Sequence, residues 1–190
     1  TVAALILGIC AATLGKKVDS AISFAIDTVM GIPHILLLIL ISYAMGKGLK
    51  GVIAGVALTH WTSLARLIRG EVMQLRESEY IQIAGKLGLG KWEIAKKHIV
   101  PHVLPQFIVG LVLLFPHAIL HESSITFLGF GLSTEQPAIG VILSESMRYL
   151  IMGKWWLAVF PGMMLVLTVV LFEKGGTALR QLLDPGSVHK

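Results

Sequence analysis

Ser78-Glu79-Tyr80-Ile81-Gln82-Ile83-Ala84-Gly85-Lys86-Leu87-Gly88-Leu89-Gly90-Lys91-Trp92-Glu93-Ile94-Ala95-Lys96-Lys97-His98-Ile99-Val100-Pro101 is a polar, basic island between two long apolar blocks. Its first half places Tyr80, Ile83, Ala84 and Leu87 at the three- and four-residue spacing of one helical face. Gly88-Leu89-Gly90 breaks that helix, as glycine does just past a helix end, and Lys91 to Ile99 starts a second one, expected to stop before Pro101. A helix, a glycine turn and another helix of this length do not hold together alone, and the apolar face, with Trp92, needs a cover. Two covers suit it: a groove on another protein, or the lipid headgroup layer.

Outward from this island the chain is apolar in long blocks. Of its residues 55% are apolar and 14% charged, with a mean hydropathy of +0.79, where a soluble domain has about 25% charged. A bilayer core about 30 Å thick takes about 20 residues of helix. Five blocks are read as membrane segments, roughly 1–14, 24–46, 50–67, 103–123 and 156–173. Each is expected to be helical, because backbone polar groups inside hydrocarbon must be paired internally, and the short alternating segments of a β-barrel do not occur. The fold class is therefore an all-α membrane protein: one transmembrane domain over 1–190 with a polar loop, 76–101, within it. Pro33, after Gly31 and Ile32, marks a kink in the second segment or the point where it enters the bilayer. Thr1 opens inside an apolar run with no basic region before it, which is the pattern of a truncated helix and not of a signal peptide.

Charge sets the orientation. From Arg66 to His102 there are seven Lys or Arg residues against four acidic ones, so this loop is expected on the cytoplasmic side. Counting from it, Lys16 and Lys17 are cytoplasmic, the Lys47–Lys50 turn and residues 124–155 are external, and the C-terminus is cytoplasmic. The 124–155 stretch mixes Phe127, Leu128, Phe130, Ile139, Val141, Ile142 and Leu143 with Gly, Pro and Ser, and is expected to dip into the membrane edge or cover a cavity. The net charge of +5 comes from cations beside apolar blocks, so no nucleic-acid partner is called for. The single cysteine, Cys10, can form no internal disulfide and is expected to pack against lipid or another helix. The chain contains no GxxxxGK[ST] loop, so it has no phosphate cradle of its own.

His34, His60, His117 and His121 lie in or beside apolar segments, where an ionisable side chain is costly. His117 and His121 are four residues apart, so both imidazoles fall on one helical face, the spacing used when two nitrogens meet one metal. Neutral imidazole suits nickel, copper, zinc or cobalt. The other reading of the pair is hydrogen bonding to a neighbouring helix. Glu122 points about 100° away around the helix and needs a different partner. The order His117-x-x-x-His121-Glu122 also departs from the His-Glu-x-x-His order of a zinc protease. His34 is read as a headgroup-level residue near the cytoplasmic face, and His98, His102 and His189 as interfacial or solvated.

The run Glu79 to Gly88 followed by His98-Ile99-Val100-Pro101 resembles the EAA signature of ATP-binding-cassette (ABC) importer permeases. Val18-Asp19 with Asp27 and Ile32-Pro33, Ala65-Arg66-Leu67-Ile68-Arg69, Thr126-Phe127-Leu128-Gly129-Phe130-Gly131, and the ending with Leu179-Arg180 and Asp184-Pro185 are similar to its dipeptide, oligopeptide and nickel branch. Ala57-Leu58-Thr59-His60-Trp61 and Pro116-His117-Ala118-Ile119-Leu120-His121 look like the histidine-bearing segments of nickel-importer permeases. The resemblance implies a type I importer fold, with five helices here of an expected six, in a bacterial inner membrane. It implies a coupling helix carrying Glu79, Tyr80, Ile83, Ala84, Leu87, Gly88 and Trp92 into a groove of an ATPase. It implies a substrate path past His60, His117 and His121, with transient metal contact at His117 and His121. The implied partners are a homologous second permease, two ATP-binding subunits that hold ATP and Mg, and an external solute-binding protein. No cofactor is expected on this chain and no catalytic residue within it. The commonest pattern has alanine where Gly85 stands, which loosens the first helix by about 1 kcal/mol.

Overall fold

The computed structural model describes residues 2–183, and every regular element among them is helical. In chain order these are α1 (Val2–Thr13), α2 (Lys16–Gly31), α3 (His34–Ala44), α4 (Gly48–Arg76), α5 (Glu79–Lys86), α6 (Lys91–Ile94), a π-helical turn (Ala95–Ile99), α7 (Val100–Phe127), α8 (Ile139–Leu150) and α9 (Trp156–Leu183). Among the described residues three stretches are long and apolar enough to cross a membrane: Gly48–Arg76, Trp92–Phe127 and Trp156–Leu183. The broken pair α2 and α3 makes a fourth if it counts as one span, and α1 is a shorter apolar helix. Asp184, Pro185 and His189 lie outside the described residues.

Two expectations need correction. The segment read as 24–46 is two helices, the first starting at Lys16. Pro33 supplies no N–H and sits at φ −52°, ψ 119°, an extended conformation that ends one helix before the next begins. Second, Pro101 does not stop the helix it was expected to end. The chain instead widens into the π turn Ala95–Ile99 and runs on through Pro101 as α7, a pitch change that accommodates the donor Pro101 lacks. Within the 124–155 stretch lies a regular helix, α8, with Gly140, Val141 and Ser146 buried.

The chain divides into two compact units. One comprises Thr1–Gly31, Trp61–Val112 and Thr177–Lys190. Within it α1 and α4 cross closely at Gly8, where an added Cβ would lie 2.9 Å from the Ala65 carbonyl oxygen and from Ile68 Cβ. Only a residue without a side chain admits that approach. The neighbouring Leu64, Ala65, Ile68 and Val72 are buried. Arg76 donates to the Ala12 carbonyl, one of the unsatisfied acceptors at the end of α1. α2 is fastened to α4 by two ion pairs joining stretches already noted in the sequence. Arg69 Nε and one terminal nitrogen hold both Asp19 oxygens, at 2.5 and 2.8 Å, and Arg66 reaches Asp27 at 2.5 Å.

The other unit comprises Ile32–His60 and Leu113–Gly176. Its centre is Leu38 of α3, Val52 of α4 and Ile125 of α7, with Ile35, Ile39 and Val56 packed around them. Two hydrogen bonds anchor the segment after α7: Ser42 Oγ donates to the Phe130 carbonyl at 2.6 Å and the Gly48 N–H to the Gly131 carbonyl at 2.9 Å. The apolar window of α9 has none of its residues buried by the rest of the chain. Phe160, Met163, Val166 and Leu171 stand out on it, as on a helix whose solvent is lipid or another chain.

Candidate functional site

Among the described residues, two places are candidate sites. The first is the loop of α5 and α6. α5 ends in a paired turn, with the Gly88 N–H donating to the Gly85 carbonyl at 3.1 Å and the Leu89 N–H to the Ala84 carbonyl at 3.2 Å. This is the six-to-one and five-to-two pairing that closes a helix on a left-handed residue, and Gly88 has φ +90°. α5 presents two faces. Ile81 and Ala84 are buried, while Tyr80, Ile83 and Leu87 are exposed with Trp92 beyond the turn. Ala84 was expected on the outward face. It belongs to the inward one, because Ile81 and Ala84, three residues apart, form the stripe by which this short helix holds to its own unit. Glu79 and Gly88 are exposed. Leu87 and Trp92 are 76% and 75% exposed, too apolar a pair to leave facing water. Lys97 pairs with Glu93 at 2.6 Å on the second helix, and Tyr80 meets His98 edge-on.

The second place is a cluster of three histidines in the unit that holds α3. His34, on the first turn of α3, His60 of α4 and His121 of α7 offer one ligand atom each, all within 4.8 Å of one another. Their rings meet at centroid distances of 4.9 Å (His34 and His60), 4.4 Å (His34 and His121) and 5.3 Å (His60 and His121). Among the described residues this is the one group of three or more His, Cys, Asp or Glu side chains close enough to share a metal ion. His60 and His121 were expected on the substrate path, and the fold brings them together. His117 is exposed and lies outside the group. His34, read from the sequence as a headgroup-level residue, takes the third place instead. The break at Ile32-Pro33 puts it at the start of a new helix facing α4 and α7 rather than at the end of the preceding one.

Hydrogen bonds around the cluster decide which ring nitrogens carry lone pairs. Thr59 Oγ1 donates its one proton to the Gly55 carbonyl at 2.8 Å. Toward His60 Nδ1, at 3.1 Å, that oxygen can then only accept, so the proton of His60 is on Nδ1. Nε2 of His60 is left with its lone pair, buried and without a hydrogen-bond partner. His34 Nε2 approaches the same Thr59 oxygen at 3.4 Å. Glu122 takes no part. Its two oxygens accept from Thr126 at 2.8 Å and Ser123 at 3.2 Å on its own helix. The group is thus all-nitrogen, with no carboxylate placed as the general base a zinc protease needs.

Residues 4–187 match the family described as binding-protein-dependent transport system inner membrane component. The chain is 32% identical over 181 residues to the dipeptide transport system permease protein DppC of Bacillus subtilis, covering 95% of this chain and 57% of that one. It is 36% identical over 179 residues to the protein of the same name from Alkalihalophilus pseudofirmus, with 94% and 59% covered. It is 31% identical over 184 residues to the nickel transport system permease protein NikC of Escherichia coli, with 95% and 65% covered. The chain therefore spans about 60% of the length of these curated relatives.

Proposed function

This chain belongs to the family of inner-membrane components of binding-protein-dependent transport systems, and we propose that it is the membrane-spanning permease subunit of an ATP-driven bacterial importer whose cargo is nickel or a related transition-metal complex. The observation that carries the cargo is the cluster of His34, His60 and His121, three imidazoles on three different apolar helices with a buried, unpartnered Nε2 among them. A group so placed is costly in hydrocarbon unless something uses it. The exposed face of Tyr80, Ile83, Leu87 and Trp92 supports docking of a separate ATP-binding subunit, which holds the ATP and Mg and does the hydrolysis, so this chain is a transport subunit and not an enzyme. The bare apolar surface of α9 supports a second, homologous permease against it or against the lipid around it. Two ATP-binding subunits and an external solute-binding protein complete the machine. The excess of Lys and Arg in the loop supports a cytoplasmic side for α5, α6 and the C-terminus.

A second reading is import of dipeptides or oligopeptides by the same machine; the names of two of the relatives above support the dipeptide form. Uptake separates the two. Cells in which this transporter is the one nickel importer should accumulate radiolabelled nickel at limiting metal, and excess dipeptide should not compete. Dipeptide uptake with no nickel uptake would hand the cargo to the second reading.

A further inference from the structure

We infer that His34, His60 and His121 form a three-imidazole site for one divalent first-row transition-metal ion, with His34 in the place that sequence spacing offered to His117. The inference deepens the transition-metal reading of the cargo and rests on it for its purpose, while the site itself can be tested without transport. Three helices converge to supply it: α3 contributes its first residue, α4 a residue near its middle, and α7 one near its end. The donors are nitrogen alone, which selects nickel, cobalt, copper or zinc over magnesium and calcium, whose ligands are oxygens. The tautomers favour it too. Thr59 holds the His60 proton on Nδ1, the outer-sphere arrangement by which a second hydrogen bond fixes which imidazole nitrogen meets a metal. The Nε2 that results is buried and unpartnered. A histidine present merely to bond a neighbouring helix would use that atom.

The spacing shows how tightly such an ion would be held. With metal–nitrogen bonds of about 2.1 Å, two nitrogens on one tetrahedral ion are about 3.4 Å apart, and less on an octahedral one. The ligand atoms here lie within 4.8 Å of one another, so a pair at that limit must close by about 1.4 Å, shared between its two rings, to bind together. Imidazoles reach that by side-chain rotation, without a shift of the helices. The arrangement is a loose cradle that closes on the ion and opens again, and three protein nitrogens leave coordination positions for water or the ion's other ligands. A site on a transport path needs this property, since a tight cage would trap what it should pass.

The test uses the assembled transporter with the full-length subunit, purified without a polyhistidine tag and titrated with nickel(II) alone near neutral pH. His34→Gln, His60→Gln and His121→Gln should each weaken nickel binding by about tenfold or more, at least the effect of losing an outer-sphere partner, and His117→Gln should leave it within about twofold. X-ray absorption on the nickel-loaded wild type reads the number of imidazoles directly and needs no variant to fold; three from this chain are expected. Fewer than three imidazoles, or a His117→Gln effect equal to that of His34→Gln, overturns the site. The two readings fail separately: nickel held by the three rings without nickel uptake removes the cargo reading and keeps the site, whereas nickel uptake indifferent to His34 keeps the cargo and removes the site.

Discussion

Replacing Gly88 by valine tests the docking loop at the residue where its geometry is least forgiving. Gly88 lies at φ +90°, and two hydrogen bonds, Gly88 to Gly85 and Leu89 to Ala84, depend on its staying there. A side chain in the left-handed region costs about 1–2 kcal/mol for an ordinary residue, and a β-branched one is a genuine outlier there. No heavy atom lies within 4 Å of a Cβ built at Gly88, so no clash adds to this and the whole effect is conformational. A change of 1–2 kcal/mol shifts a local two-state equilibrium by about 5–30-fold, enough to take the turn out of the shape that presents Leu87 and Trp92 together. Membrane abundance should not change, because the turn lies outside the apolar spans. Uptake and co-purification of the ATPase should fall, most for valine, less for alanine and least for asparagine, which tolerates that backbone region best. Valine at wild-type uptake, with the ATPase still bound, would refute both the strain argument and the docking role.

Three further outcomes follow from the same physics. Gly85→Ala should stabilise α5 by about 0.5–1 kcal/mol, since an added Cβ meets only Ile94 Cδ1 at 4.0 Å; thermal unfolding in detergent with intact uptake checks it, and a lower melting point contradicts it. Asp19→Ala should cost about 1–3 kcal/mol by stranding the partly buried Arg69 guanidinium, whose side chain is 27% exposed. Asp27→Ala, with the side chains of Asp27 and Arg66 66% and 49% exposed, should cost under about 1 kcal/mol, and equal losses in unfolding midpoint would dismiss the burial argument. With Cys10 replaced by serine, a cysteine at Gly90 should react with an impermeant thiol reagent only from the cytoplasm and one at Ser133 only from outside; the opposite pattern inverts the orientation drawn from the basic loop.

Much of this protein was written in local chemistry. The apolar blocks, the helix break at Pro33 and the left-handed glycine at Gly88 depend on residue types within a few positions of one another, and the physics that sets them, bilayer thickness, proline's missing N–H and glycine's missing Cβ, acts at that range. Where a local rule met a competing local option, the sequence left the outcome open. Pro101 could end a helix or be absorbed by a wider turn, and the π segment Ala95–Ile99 absorbed it. Ala84 could join either face of α5, and burial beside Ile81 decided for the inner one. The histidine site was legible only in part: family resemblance put His60 and His121 on one path, but not His34 beside them. The sequence showed four candidate rings, and the four-residue spacing of His117 and His121 was the only pattern it offered. Which rings share a point in space depends on where α3, α4 and α7 meet, a matter of packing around Leu38, Val52 and Ile125 among residues far apart in the chain. That packing drew in His34 and left His117 on the surface, because a periodicity places side chains on a helix but says nothing of which helix lies opposite.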